Sequence, residues 1–370
     1  MSKKIKVLAL SDTVGQKNFN PVRPEAAQLV GLHETGKVEV TVVCSPGSVL
    51  EAYFRDNGIN VIAHKRGAKI SLRSIFFIRN LIRKSRFDIL HLWHSRAISN
   101  GVLAAIGLPV KVIVYRGNPG SIKRYDPLCY LNCLNPRIDK IICVSKAVEK
   151  AIRKQIWGDT KKPVTIYKGH DLNWYGNPPA DLSGLDLPEG AFVAVMVANL
   201  RPHKGLHVLI EATHFLPNDA PIYILLVGPR SDDPYAVELV SKAAQPDKVR
   251  LLGYRDDAPE VAAASDLLVL PSTKREGLAR AAIEAMAYGT PVIASDVGGN
   301  PELVEDNVTG LIVREGDAEQ LAKGIQKLYS DSDFRGRCGA ASRERIKTHF
   351  DLQQGIEKTL NVYLDIVDCQ

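Results

Sequence analysis

The chain has little of what marks scaffolds held by sulfur, metal or membrane. Of its 370 residues three are tryptophan, three methionine and six cysteine, and aromatics make up 6%. The cysteines (Cys44, Cys129, Cys133, Cys143, Cys338, Cys369) form no C-x2-C pair and meet no histidine cluster, which argues against a zinc site. Cys44 and Cys143 lie in strand-like runs and read as small core residues. Cys129 and Cys133 are spaced i, i+4 and read as packing. No stretch of eighteen apolar residues occurs, so no membrane-spanning helix is expected. The first apolar run, Ile5–Leu10, is too short for a signal-peptide core and has no small-residue cleavage site. It reads as a first strand in a cytoplasmic protein. No G-x-G-x-x-G follows that strand and no G-x4-G-K-[ST] occurs, which excludes a dinucleotide fingerprint and a P-loop.

What is present is charge, unevenly placed. Residues 1–170 carry 29 Lys/Arg against 11 Asp/Glu, a balance of +18. Residues 171–370 carry 19 against 30, a balance of −11, and the two give the chain's +7. Halves of opposite sign predict two domains with different partners. The basic half calls for an anionic surface: acidic lipid headgroups, a phosphorylated glycolipid or nucleic acid. No basic–aromatic repeat or nucleic-acid module accompanies the charge, so nucleic acid is not the expected partner.

Strand and helix signals alternate almost throughout, which predicts parallel sheets covered by helices. Apolar runs recur at Val38–Cys44, Ile89–Trp93, Val110–Tyr115 and Ile141–Val144, then at Phe192–Ala198, Ile222–Val227, Leu267–Leu270 and Val292–Ala294. Between the halves, residues 173–190 hold six Pro or Gly and no periodicity, the composition of a link. Expected domains are therefore 1–172 and 191–350. The helical tail 351–370 remains. Leu72–Arg86 reads as a helix with Ile75, Phe76, Ile78, Leu81 and Ile82 packed on the sheet and its arginines solvated.

The densest chemistry lies in Lys274–Gly299, KREGLARAAIEAMAYGTPVIASDVGG. Glu276 and Glu284 are separated by seven residues. After the turn residue Gly277 come Leu278, Ala279 and an Ala-rich helical pattern, stopped by Gly289, Thr290 and Pro291. Glu276 should stand at a helix entrance, with Glu284 about two turns in. Free N–H groups and the positive dipole end make such an entrance a phosphate site. Two carboxylates beside it suit the hydroxyls of a sugar and of a ribose. Upstream, Val193–Gly205, VAVMVANLRPHKG, reads as strand, loop and helix start. Lys204 there is a flexible ammonium at a second helix entrance. Gly228, Gly253 and Tyr254, and then Gly298 and Gly299, follow strands at the carboxyl ends where open α/β sheets bind ligands.

The segment from Glu276 to Glu284, with its flanking EG and the following Gly298-Gly299-Asn300-Pro301-Glu302, resembles the signature of family-4 retaining glycosyltransferases. The resemblance is specific in the second half and one of general pattern in the first. It implies an α/β protein of GT-B architecture, two Rossmann-like domains whose parallel sheets face across a cleft, with the tail crossing back onto the first domain. It implies transfer from a nucleoside diphosphate sugar, a UDP-sugar being favoured, to an acceptor hydroxyl. Lys204 would neutralise the donor diphosphate, Glu276 orient its sugar, and Glu284 hold the ribose. Gly298 and Gly299 would lie against that sugar. The loops at Gly228, Gly253 and Tyr254 would border base and phosphates. The family's second cation, an arginine, falls at Asn199 here, and Arg201 comes two residues later. Arg280, four residues from each glutamate, either pairs with Glu284 or faces solvent. Asp232-Asp233 and Asp256-Asp257 are adjacent rather than spaced as D-x-D, and no metal or other cofactor is expected.

The first half should hold the acceptor. Its loop Ser11–Glu25 carries Lys17 and Arg23, with the single Gly15 where the family has a Gly-Gly pair. His94 ends one strand run and reads as a hydroxyl-positioning or proton-shuttling group. Arg116 ends the next and supplies a fixed cation where many members have a histidine. With the basic surface this points to an anionic, membrane-borne acceptor, a glycolipid or lipopolysaccharide core, met at the inner face of the cell membrane. A soluble acceptor and a nucleotide-sugar epimerase of the same architecture are the alternatives.

Overall fold

A computed structural model describes residues 3–11, 19, 22–65, 67–120, 122–199, 201–228, 230 and 232–368. Gly15 and Lys17 of the first polar loop lie outside them. The chain divides into two compact units, Met1–His170 with Phe350–Gln370, and Asp171–His349.

In the first unit the chain runs β1 (Ile5–Leu10), α1 (Arg23–Glu34), β2 (Val38–Cys44), α2 (Val49–Asp56), β3 (Asn60–Ala63), α3 (Leu72–Ser85) and β4 (Ile89–Leu92). It continues α4 (Ser95–Ala104), β5 (Lys111–Arg116), β6 (Lys140–Cys143), α5 (Lys146–Arg153) and β7 (Pro163–Thr165). The seven strands are ordered β3-β2-β1-β4-β5-β6-β7, every pair parallel. Helices cover both faces, so the central strands bury nearly every side chain and read as continuous apolar runs. The polar loop expected to reach Glu25 ends earlier. Pro24, whose missing N–H costs nothing in a first helical turn, starts α1 at Arg23 and places Glu25 on it.

The second unit runs β8 (Phe192–Val197), α6 (Leu206–Ala212), β9 (Ile222–Val227), α7 (Pro234–Val240), β10 (Val249–Gly253), α8 (Ala258–Ala263) and β11 (Leu267–Leu270). It ends α9 (Arg280–Tyr288), β12 (Val292–Ser295), α10 (Asn300–Leu303), β13 (Gly310–Val313), α11 (Ala318–Ser330) and α12 (Ser332–His349). Its order, β10-β9-β8-β11-β12-β13, repeats the first unit's pattern, again wholly parallel. In each sheet the strand order reverses once, beside β1 and beside β8, and the loops there open the crevice where such sheets bind ligands. Segment 173–190 packs on α8: Asn177 donates to Glu260 Oε1 at 2.7 Å and the Ala180 N–H to the Glu260 carbonyl at 3.0 Å.

The last helix, α13 (Leu352–Asp368), belongs to the first unit. Gln28 of α1 donates to Thr359 Oγ1 at 2.6 Å, and Tyr363 meets His91 Nδ1 of β4 at 2.6 Å, all of them buried. Helix α3 departs from its expected face. Ile78 and Ile82 are buried, but Phe76 is 62% exposed and Leu72 71%.

Candidate active site

The second unit gathers its polar groups at the switch point of its sheet. The β8 loop brings Lys204 and the β11 loop brings Glu276, and their side chains meet at 2.8 Å. Ser272, just past β11, donates to the same carboxylate oxygen at 2.9 Å. Glu276 is 6% exposed. A carboxylate so buried keeps its charge only with such partners. The backbones interlock as well. The Thr273 N–H donates to the His203 carbonyl at 2.8 Å, and the Gly299 N–H reaches the Glu276 carbonyl at 3.4 Å. Gly298 has φ of +60°, and a Cβ there would lie 2.0 Å from the Glu276 carbonyl oxygen. Only glycine lets the β12 loop press against Glu276 this closely. Arg275, next to Glu276, sits in the left-handed region at φ of +62°, a strain found most often at functional sites.

Helix α9 starts at Arg280, so Glu284 is its fifth residue, little more than one turn in rather than two. Ala279 is the N-cap and offers no side-chain cap, and Gly277 and Leu278 form the turn before it. Glu284 is 8% exposed, and Arg280 pairs with it, Nε to Oε1, at 3.2 Å.

Asn199, Arg201, Lys204 and Tyr235 line a pocket of about 280 Å³ between the ends of β8 and β9. Arg201 is exposed, and Lys204 completes a turn by donating its N–H to the Arg201 carbonyl at 2.8 Å. Both cations therefore border one pocket. Burial first, then the Lys204 ammonium, holds His203 below the usual imidazole range. Gly228 donates to the Gly253 carbonyl at 2.8 Å, and Tyr254 stands 70% exposed. Ser272 and Tyr235 escape the sequence reading, and Asn300 enters it only as part of the motif after β12. Asn300 is fully buried and ties α10 to the Ser295 carbonyl at 3.1 Å. A serine four residues ahead of Glu276 at a strand end was the available signal for Ser272. The D-x-D spacing does occur once, at Asp331-Ser332-Asp333. It lies where α11 passes into α12, and Asp331 there accepts the Phe334 N–H at 2.8 Å, as a helix-starting cap does.

In the first unit His94 caps α4 and Arg116 ends β5. His94 Nε2 lies 3.8 Å from Glu25, which Lys168 also meets, at 2.8 Å. Glu25 and Lys168 were not read from the sequence, since they are 143 residues apart and neither sits in a motif. A pocket of about 480 Å³ opens at the ends of β1 and β2. Among the described residues its lining includes Ser11, Ser45, His64, Ser74 and Arg96 and no carboxylate.

A family model described as glycosyl transferases group 1 matches residues 180–345, and one described as glycosyltransferase family 4 matches residues 29–174. An Escherichia coli protein named UDP-Gal:alpha-D-GlcNAc-diphosphoundecaprenol alpha-1,3-galactosyltransferase is 26% identical over 354 residues, 89% of either chain. The lipopolysaccharide core biosynthesis glycosyltransferase LpsE of Rhizobium meliloti is 25% identical over 85% of this chain and 86% of its own. Among solved structures, Anabaena HepE in complex with UDP-glucose superposes with a TM-score of 0.78 over 97% of this chain and 100% of its own, at 22% identity. That last likeness is one of fold. Fold and family matches together define a glycosyltransferase of GT-B architecture. Within that class the first unit matches the family 4 model and the second unit the group 1 model.

Proposed function

We propose that this glycosyltransferase moves a sugar, with retention at the anomeric carbon, from a UDP-sugar to a hydroxyl of an anionic, membrane-borne glycolipid or lipopolysaccharide-core acceptor. The observation that carries the donor half is the buried Lys204–Glu276–Ser272 cluster at the switch point. Without ligand the ammonium and carboxylate neutralise each other. A donor diphosphate, with more negative charge than one carboxylate, takes over Lys204. Glu276 then turns its lone pairs to the hydroxyls of the sugar. Lys204, Arg201 and the N–H groups around Leu278 stabilise charge on the leaving diphosphate, which is preorganised electrostatics. Glu284 holds the ribose and needs no metal to do so.

Melting temperature against a panel of nucleoside diphosphates tests the donor site, because a ligand bound only to the folded state raises it. UDP is expected to stabilise the protein, by about 2.7 kcal/mol at a hundredfold excess over Kd. Glu284→Ala should cancel most of that shift. If UDP leaves the melting temperature unchanged while another nucleoside diphosphate raises it, the UDP assignment is wrong.

The acceptor half rests on the basic first unit and on the pocket at its strand ends, whose described lining includes His64 and Arg96. The relatives act, by their names, on a diphosphate-linked lipid and in the lipopolysaccharide core. No helix among the described residues is long and apolar enough to cross a membrane. Helix α3 instead offers exposed Leu72 and Phe76 beside Arg73, Arg83 and Lys84, an arrangement suited to the surface of an acidic bilayer. Vesicles with acidic lipid should sediment the protein at low salt and neutral vesicles should not. The double variant Leu72→Ser, Phe76→Ser should bind at least several-fold more weakly. Equal, poor binding to both vesicle types would favour a soluble acceptor.

A further inference from the structure

The positive charge of the first unit sits on one side of its sheet. From β1 the chain steps to β2 and β3 in one direction, then crosses from β3 to β4 and on to β7 in the other. Parallel crossovers are right-handed, so α1 and α2 cover one face, and α3, α4, the turn Pro127–Leu131 and α5 cover the opposite one. Helix α13 joins the first of these layers through its bond to α1. The second layer is tied together along its width. Arg79 of α3 donates to the Ala104 carbonyl of α4 at 2.9 Å, and Asn132 to Ser99 Oγ of α4 at 2.9 Å. The Arg124 N–H donates to Gln155 Oε1, just past α5, at 3.0 Å.

The two layers differ in charge. Residues 22–37, 45–59 and 350–368, which make the first, carry 4 Lys/Arg against 8 Asp/Glu. Residues 67–87, 93–110, 122–139 and 144–162, which make the second, carry 16 against 4, a balance of +12. Exposed apolar side chains follow the same division. In the first unit every large one among the described residues belongs to the cationic layer. Ile70, Leu72 and Phe76 lie on or beside α3, and Ile106 follows α4. A separate group stands toward β6 and β7: Tyr125 is 82% exposed, Leu128 68% and Trp157 66%. Arg124 links its two chain segments, with its guanidinium 5.8 Å from the centre of the Trp157 ring. Lys123 before it, and Arg153 and Lys154 before Trp157, are exposed as well.

A surface that is apolar and cationic together fits a partner with an anionic skin over an apolar interior, which is an acidic bilayer. Nucleic acid would answer the cations and leave Leu72, Ile106 and Leu128 in water. Tyrosine and tryptophan favour the headgroup level, where the ring is buried and its polar edge stays wet. We propose that Tyr125, Leu128 and Trp157 form a second membrane foot that, together with α3, lays the cationic layer of the first unit on an acidic bilayer. This rests on the reading above that the acceptor is membrane-borne. It adds a contact that α3 does not contain and fixes which face of the sheet meets the lipid. Two contacts carried on one sheet bind more tightly than either alone. The pocket at the ends of β1 and β2 takes Ser74 from α3 and Arg96 from α4, so the docked layer borders the place assigned to the acceptor.

Trp157 is one of three tryptophans, with Trp93 and Trp174. The full chain carrying Trp93→Phe and Trp174→Phe keeps it as the sole indole. Vesicles of phosphatidylglycerol and phosphatidylcholine with brominated acyl chains should quench its fluorescence at low salt, and brominated vesicles of phosphatidylcholine alone should not. In the parent chain, Tyr125→Ser, Leu128→Ser and Trp157→Ser together should weaken sedimentation with acidic vesicles about tenfold. The melting temperature and its shift with UDP should stay as they are. This second arm carries the test if the first variant does not fold. Acidic vesicles that bind the chain but leave Trp157 unquenched, or that bind the triple variant as tightly as the parent, overturn the second foot and leave α3 as the whole contact. Loss of a dimer rather than of vesicle binding in the triple variant also overturns it, and gives the patch to a second copy of the chain. Failure of the parent to bind acidic vesicles at all overturns the proposal together with the membrane-borne acceptor, so the two failures are distinguishable.

Discussion

Lys204→Ala is expected to lower kcat/KM by roughly 10²–10³-fold, the usual cost of removing one preorganised partner of a developing charge. The same change should also destabilise the second unit. Glu276 has an 8% exposed side chain and Lys204 a 22% exposed one, 2.8 Å apart. Breaking a fully buried pair costs about 3–5 kcal/mol, because one charge is left without its partner. The partial exposure of Lys204 and the remaining Ser272 hydroxyl bring the expectation down to about 2 kcal/mol. These two effects separate in a double-mutant cycle. Glu276→Gln removes the buried charge, so Lys204→Ala made on that background should cost little further stability. Activity should not recover, since neither the cation nor the carboxylate is restored. Urea midpoints and kcat/KM of the four proteins check both statements. Equal loss of stability on both backgrounds would mean that the pair has no structural role. Unchanged kcat/KM in Lys204→Ala would remove Lys204 from the reaction.

The loops that follow β11 and β12 are legible in the sequence because their pattern is local. Glu276, Gly277, Glu284 and the glycines after β12 fall within one stretch of 26 residues, so strand–loop–helix periodicity places them without knowledge of the tertiary fold. The i, i+4 spacing of Arg280 and Glu284 foretells one of two outcomes, and the structure selects the ion pair at 3.2 Å. Parallel sheets follow from uninterrupted apolar runs, which strands covered on one face do not show.

What escapes is set by long-range packing or by small side chains. Helix α12 is absent from the sequence reading because its buried positions, Cys338, Gly339, Ser342 and Ile346, are mostly small and give almost no apolar stripe. They serve close approach instead: a Cβ on Gly339 would lie 2.3 Å from the Gly289 carbonyl oxygen at the end of α9. The exposed Phe76 on α3 fails the opposite way, as an apolar residue that helical periodicity assigns to the core. The Glu25–Lys168 pair joins residues 143 apart through the order of the strands, which no local pattern encodes. His91 belongs with them. Inside the strand run Ile89–Trp93 it reads as one more core position, yet its partner is 272 residues away on the last helix.

That partnership predicts marked acid sensitivity of the first unit. His91 is fully buried, and burial lowers its imidazole to about 3. Its Nδ1 meets the Tyr363 hydroxyl at 2.6 Å, the contact that seats α13 on β4. In the unfolded chain the same imidazole titrates near its ordinary value of about 6.5. Between those two values the unfolded state binds a proton that the folded state refuses, so stability rises with pH through that window. The neutral imidazole's contribution is complete above about pH 6.5 and is lost as pH falls toward 3, at up to about 1.4 kcal/mol per pH unit. Other groups titrate over the same range, so the informative quantity is a difference between variants. His91→Asn offers Tyr363 a polar atom near the Nδ1 position and cannot be charged. It should cost about 1–2 kcal/mol at neutral pH through altered packing and hydrogen bonding. Between pH 7 and pH 4 it should then lose about 3 kcal/mol less than the parent chain. Tyr363→Phe removes the hydroxyl but keeps the titrating ring, so it should be less stable at every pH with the parent's slope. Trp93 lies 4.7 Å from the His91 ring and reports on this site by its fluorescence during urea unfolding. Equal acid slopes for the parent and His91→Asn would mean that the imidazole finds a proton and a partner inside the fold, and that α13 is held by its apolar face alone.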